Sequence, residues 1–151
     1  MRKLKAWPLL FVSVAVCAGG ATRLMAQTPD QPPAPQSVWS GVYSDSQAYG
    51  GEKVSDTVCL GCHGAGLAGG DSGPKLIGED FLPAWNGKSV ADLFDFISAS
   101  MPENAPGTLK KEDVASVVAY ILKVNAIPAG KQALSTEHDA LAPITILANK
   151  P

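Results

Sequence analysis

The sequence predicts a helical domain, on three observations. Apolar residues recur at helical spacing over residues 90–100 and again over 111–124, and each run has recognisable start and stop residues. Between them lie loops rich in glycine and proline, and no segment of this core carries a strand signal of comparable strength. At 151 residues the chain has room for one ordinary domain.

The elements follow in order. Arg2, Lys3 and Lys5 precede an almost wholly apolar run from Leu9 to Ala18, and Leu24-Met25-Ala26 ends on a small residue. Residues 1–26 therefore read as a signal peptide cut before Gln27, which implies export to the periplasm. The apolar run falls short of the roughly 20 residues a membrane span needs, so cleavage is expected over retention as an anchor. Val16 stands before Cys17 where a lipoprotein signal wants a small residue, so lipidation is not expected. Residues 27–37, with Pro29, Pro32, Pro33 and Pro35, read as an extended linker.

A first helix is expected from about residue 45 to 62, although Gly50 and Gly51 lower its propensity. The glycine-rich stretch 61–73 must be loop, suited to a chain wrapping closely around a bulky flat object. Ser89 and Asp92 form a capping-box pattern before Val90, Leu93, Phe94 and Ile97, which predicts a helix to about Ser100. Pro102, Pro106 and Gly107 end it. The clearest helix covers 111–124: Val114, Val117, Val118, Ile121 and Leu122 share one face, Glu112 and Asp113 suit the positive end, and Asn125 with Pro128 stops it. The extension 129–151 is apolar in patches (Leu134, Leu141, Ile144, Ile146, Leu147) and is expected to wrap the domain body at 38–128.

Charge and cysteine count narrow the function classes. The leader would remove four of twelve basic residues and none of the fourteen acidic ones, leaving a net charge of about −6. That balance argues against a nucleic-acid partner and for docking on a basic surface. Only Cys59 and Cys62 then remain, followed by His63. Cys-x-x-Cys-His is the attachment pattern of haem c: two thiols one helical turn apart reach the two vinyl groups of one macrocycle edge, and the histidine turns beneath the iron as its proximal ligand. Zinc would need two further ligands, and the only other histidine is His138. A redox dithiol would gain nothing from the histidine.

Met101 is the one methionine outside the leader. It follows a helix and precedes Pro102, so its place is that of a second axial ligand; the bland alternative is a core methionine. Residues 76, 93, 94, 97, 109 and 121 (Leu76, Leu93, Phe94, Ile97, Leu109, Ile121) are the apolar side chains expected to exclude water. With His63 and Met101 both engaged the site is closed to oxygen and peroxide, which describes an electron carrier and not an enzyme.

The chain resembles the class I c-type cytochromes, specifically small bacterial ones related to cytochrome partners of quinoprotein (PQQ) dehydrogenases. The resemblance covers about residues 38–128 and rests on Val38-Trp39-Ser40-Gly41-Val42-Tyr43, Gln47-Ala48, Cys59 to Gly64, Gly73-Pro74-Lys75-Leu76-Ile77-Gly78, Trp85, Met101-Pro102 and Val118 to Leu122. It implies an all-α class I cytochrome c fold with one covalent haem and with the first and last helices crossed. In such proteins a proline carbonyl accepts a hydrogen bond from the proximal histidine, and Pro74 matches by order and distance from His63; a simple turn proline is the alternative. Trp85 would donate its indole N–H to a haem propionate, or else serve in core packing. Tyr120 would pack on the first helix near Gly51. Four residues before Cys59 the family commonly has an aromatic residue, and here stands Ser55, with Val54 or Val58 to compensate.

The function this implies is a periplasmic mono-haem carrier of single electrons between a dehydrogenase donor and an oxidase or other acceptor. Two alternatives stand beside it: a cytochrome subunit in a stable dehydrogenase complex that uses the extension as contact, and a ligand-binding haem enzyme or sensor in which Met101 dissociates. No membrane association is expected after leader cleavage.

Overall fold

The computed structural model describes residues 36–151. The leader expected over residues 1–26, and all but the last two residues of the Pro-rich linker, lie outside the described residues. What is described is helical, with six α-helices joined by loops and 3-10 turns. They are α1 (Asp45–Val58), α2 (Leu60–His63), α3 (Gly78–Trp85), α4 (Val90–Ser100), α5 (Lys111–Val124) and α6 (His138–Leu141).

The crossing of α1 with α5 is the centre of the architecture. The α5 face predicted from the sequence is buried: Val114, Val117, Val118, Ile121 and Leu122 are each at most 3% exposed. Burying side chains of this size stabilises the fold by about 1.5–3 kcal/mol each. Gly51 lets the helices meet, because a Cβ there would overlap the Ser116 carbonyl and stand 2.9 Å from the Val117 nitrogen. Tyr120 is buried on the same helix, and its phenol is pushed up by burial first and then by the nearby carboxylates Glu52 and Asp56 of α1.

Local signals account for the helix ends. The Ser44 hydroxyl caps α1 by accepting from the Gln47 N–H at 3.3 Å. The capping box of α4 is complete: Ser89 Oγ accepts from Asp92 N–H at 3.0 Å, and Asp92 Oδ2 accepts from Ser89 N–H at 2.8 Å. The first predicted helix is interrupted at Cys59, which caps α1 and opens α2.

Helix α3 has no counterpart among the elements predicted from the sequence. It opens on Gly78 and holds Pro83 inside, two residues that ordinarily break helices. Over eight residues the proline costs one intrahelical bond, and burial of Phe81 offsets it. The extension after α5 lies on the body. Leu134, Leu141, Ile144 and Ile146 are buried, Trp39 Nε1 donates to the Leu147 carbonyl at 3.0 Å, and both ends of the Gln47 amide bond to the Leu134 backbone at 2.7 and 3.0 Å. A two-residue parallel pair, β1 (Gln36–Ser37) with β2 (Ile144–Thr145), seals the contact. No helix among the described residues is long and apolar enough to cross a membrane.

Candidate haem site

Helix α2 and the loop that follows position the cysteines and His63. The Cys62 and His63 amides both donate to the Cys59 carbonyl, at 3.1 and 2.9 Å, so the three residues occupy one tight turn. The loop then returns against that turn: Gly69 N–H donates to the His63 carbonyl at 2.7 Å, and Gly70 N–H to the Gly73 carbonyl at 3.1 Å. Side chains would not fit here. A Cβ on Gly70 would meet the Cys62 carbonyl at 2.5 Å, and one on Gly73 would meet it at 2.9 Å and His63 Nδ1 at 3.1 Å.

His63 is 9% exposed, and its Nδ1 lies 2.8 Å from the Pro74 carbonyl. A carbonyl can only accept, so Nδ1 is the donor, and in the neutral ring Nε2 then carries the lone pair. That is the tautomer a metal-ligating histidine needs, and the same bond orients the ring.

Cys59, Cys62, His63, Pro74 and Met101 all line one cavity of about 420 Å³. Its remaining wall is largely apolar: Val58, Leu76, Ile97, Leu109, Val117 and Ile121 come from α1, α4, α5 and the loops between. Met101 reaches it from the end of α4, where its N–H donates to the Ile97 carbonyl at 3.0 Å. Leu93 and Phe94, expected in this wall, are instead buried in the core and outside the cavity lining. The periodicity that marks an apolar face does not say which part of the face meets a cavity.

Cys59 is half-buried and Cys62 exposed, and neither is in a disulfide. Burial is the main force pushing the Cys59 thiol up, and the neighbouring Cys62 adds to it. The buried Ser55 hydroxyl tempers this from nearby but makes no well-formed hydrogen bond. Around Ser55, Val54 packs against the core and Val58 faces the cavity.

Trp85 stands outside the cavity lining. Its ring centroid lies 6.1 Å from Phe81 and 5.8 Å from Phe96, and the Lys88 ammonium sits 4.8 Å over its face. His138 is on the surface, with Nε2 3.5 Å from Asp95 Oδ2. One contributor was missed in the sequence: Asn125, read there only as a helix stop, is 7% exposed and bonds through its amide to the loop beyond Pro74. A lone asparagine after a helix carries no signal that would distinguish it from an ordinary cap.

The residues present fit haem c. A turn carries two thiols beside a lone-pair-bearing imidazole, a thioether enters the same cavity, and apolar walls surround them.

A family model points the same way. The family model described as "Cytochrome C oxidase, cbb3-type, subunit III" matches residues 46–121, which include the cysteines, His63, Pro74 and Met101. Curated relatives described as "Cytochrome bc1 complex cytochrome c subunit", from Mycobacterium bovis and Mycobacterium tuberculosis, are 36% identical over 78 residues. That match covers 51% of this chain, which spans only 25% of the length of those relatives. Among solved structures, the sulfane dehydrogenase SoxCD from Paracoccus pantotrophus aligns with a TM-score of 0.49 at 21% identity, covering 78% of this chain and 61% of that one.

Proposed function

This chain belongs to the c-type cytochrome family that the cbb3-type subunit III model describes and has the all-α class I cytochrome c fold, and from that premise we propose that it is an exported, single-haem electron carrier. The observation that carries the proposal is the 2.8 Å contact of His63 Nδ1 with the Pro74 carbonyl, made at the rim of a cavity that Cys59, Cys62 and Met101 also line. Haem c, when bound, supplies a reversible one-electron couple between ferric and ferrous iron.

The chain's own residues do the rest. Cys59 and Cys62 would hold the group through thioethers. His63 would hold the iron through Nε2, because Pro74 keeps a proton on Nδ1. Met101 would hold it through its thioether, and a thioether in place of a second imidazole would favour the ferrous state. Leu76, Ile97, Leu109 and Ile121 line the cavity, where they would exclude water and disfavour the more highly charged ferric state. Were both side chains to bind the iron, no position would remain for an exogenous ligand, which supports electron transfer as the activity. The surroundings of Trp85 support a packing role.

In this reading the carrier works in the periplasm between a dehydrogenase of the quinoprotein type and a downstream oxidase or other acceptor. The acidic balance of the chain favours partners with basic docking faces. A second reading, a cytochrome subunit in a stable complex, is favoured by the descriptions of the curated relatives as complex subunits. Sizing the native protein separates the two. Leu134, Leu141, Ile144 and Ile146 of the extension face its own core, so in that second reading a partner would meet the extension through its exposed residues.

Spectroscopy tests the ligation. The ferric protein is expected to show the methionine-to-iron charge-transfer band, and the ferrous protein to resist carbon monoxide. Met101→Ala should lose the band, bind carbon monoxide and lower the potential by on the order of 0.1 V, a fraction of the ~0.8 V range that axial ligands span. A wild-type protein without the band that binds carbon monoxide readily would overturn the carrier reading.

A further inference from the structure

Asn125 follows α5, yet its side chain serves a loop 47–49 residues earlier in the chain. Its Nδ2 donates to the Leu76 carbonyl at 2.9 Å and to the Ile121 carbonyl at 2.8 Å, while its Oδ1 accepts from the Gly78 N–H at 2.8 Å. The assignment of oxygen and nitrogen is unambiguous, since the two carbonyls can only accept and the amide can only donate. The side chain is 7% exposed, so little water is available to replace these bonds.

The clip joins two walls of the cavity. Leu76 and Ile121 both line it, and Asn125 bonds to the backbone of each. It also satisfies Gly78 N–H, one of the donors that a helix start leaves open. Pro74 sits between two anchors. On one side the Gly73 carbonyl accepts from Gly70 N–H at 3.1 Å; on the other, Leu76 N–H donates to the Leu67 carbonyl at 2.9 Å and the Leu76 carbonyl is held by Asn125. The carbonyl that fixes His63 is thus two residues from a clamped position.

We propose that Asn125 is a positioning residue for the iron-ligating imidazole: by clipping the 76–78 segment to the end of α5, it holds the Pro74 carbonyl against His63 Nδ1 and so sets the strength of that hydrogen bond. The inference rests on His63 being the axial ligand. A merely structural asparagine would add stability to the whole domain and leave this one bond no weaker than any other.

The test uses the haem-loaded protein with Asn125→Ala and, as a control, Val118→Ala. Val118 is fully buried on α5 but lies outside the cavity lining, so its loss lowers stability without touching the clip. The readout is the exchange rate of the His63 Nδ1 proton by NMR in the ferrous state, compared at matched global stability. Asn125→Ala is expected to speed that exchange about tenfold over the control, the scale of losing one supported hydrogen bond. Should Asn125→Ala not accumulate folded, Asn125→Ser keeps a polar cap too short to span the clip and is expected to move the exchange in the same direction. Exchange at the control rate, with the wild-type charge-transfer band intact, would overturn the role of Asn125 and leave the ligation standing. A wild-type protein lacking both the band and a His63 Nδ1 signal would overturn the ligation and this inference with it.

Discussion

Two adjacent glycines in α1 should respond in opposite directions to the same substitution. A Cβ at Gly51 would overlap the Ser116 carbonyl and approach the Val117 nitrogen at 2.9 Å, whereas a Cβ at Gly50 has only Ser116 Oγ near it, at 3.9 Å. Overpacking costs about 1–3 kcal/mol where side chains can shift. Here the obstacle is the backbone of α5, so α1 itself must lift and the upper end, about 3 kcal/mol, applies. Alanine recovers about 0.5–1 kcal/mol of helix propensity at either position. Gly51→Ala should therefore lose roughly 2 kcal/mol net, or some 6–10 °C in melting temperature for a domain of this size. Gly50→Ala should be neutral or gain up to about 1 kcal/mol. Guanidinium unfolding of the haem-loaded protein, followed by far-ultraviolet circular dichroism, measures both. A Gly51→Ala variant within about 0.5 kcal/mol of wild type would refute the close crossing of α1 and α5, since no smaller adjustment relieves a backbone overlap.

Two other perturbations read the helix cap and the extension. Asp92 accepts hydrogen bonds from the Ser89 hydroxyl and from the Ser89 amide, which hold its carboxyl below the usual range. Its contribution is present above the ordinary aspartate value and fades as pH falls through the depressed one, so acid should weaken α4; Asp92→Asn should flatten that part of the stability profile, and Ser89→Ala should cost about 1 kcal/mol at neutral pH. Gln47→Leu removes both bonds to the Leu134 backbone and should hasten protease cleavage within residues 129–151 while the α1–α5 core stays intact, as peptide mapping would show; unchanged cleavage would place the hold of the extension elsewhere.

Where a property depends on residues close in sequence, the chain alone determined it. Cys59, Cys62 and His63 share one helical turn, so their chemistry is written in their spacing. Ser89 and Asp92 close a box across three residues, and the apolar face of α5 repeats within fourteen. Met101 stood out because no other methionine follows residue 25 and because it comes after a helix. Tertiary structure decided what depends on distant segments meeting. Helix α3 forms despite Gly78 and Pro83 because Phe81 finds a core to enter and Asn125 satisfies its first N–H. The same helical face sends Ile97 to the cavity and Leu93 and Phe94 to the core, a division set by neighbours and not by periodicity. The Pro74 carbonyl reaches His63 across eleven residues, and Asn125 holds that loop from across the fold. Backbone carbonyls and lone amides look alike in every sequence. Their partners are chosen by burial, where an unpaired polar group is costly and the folded chain supplies one answer.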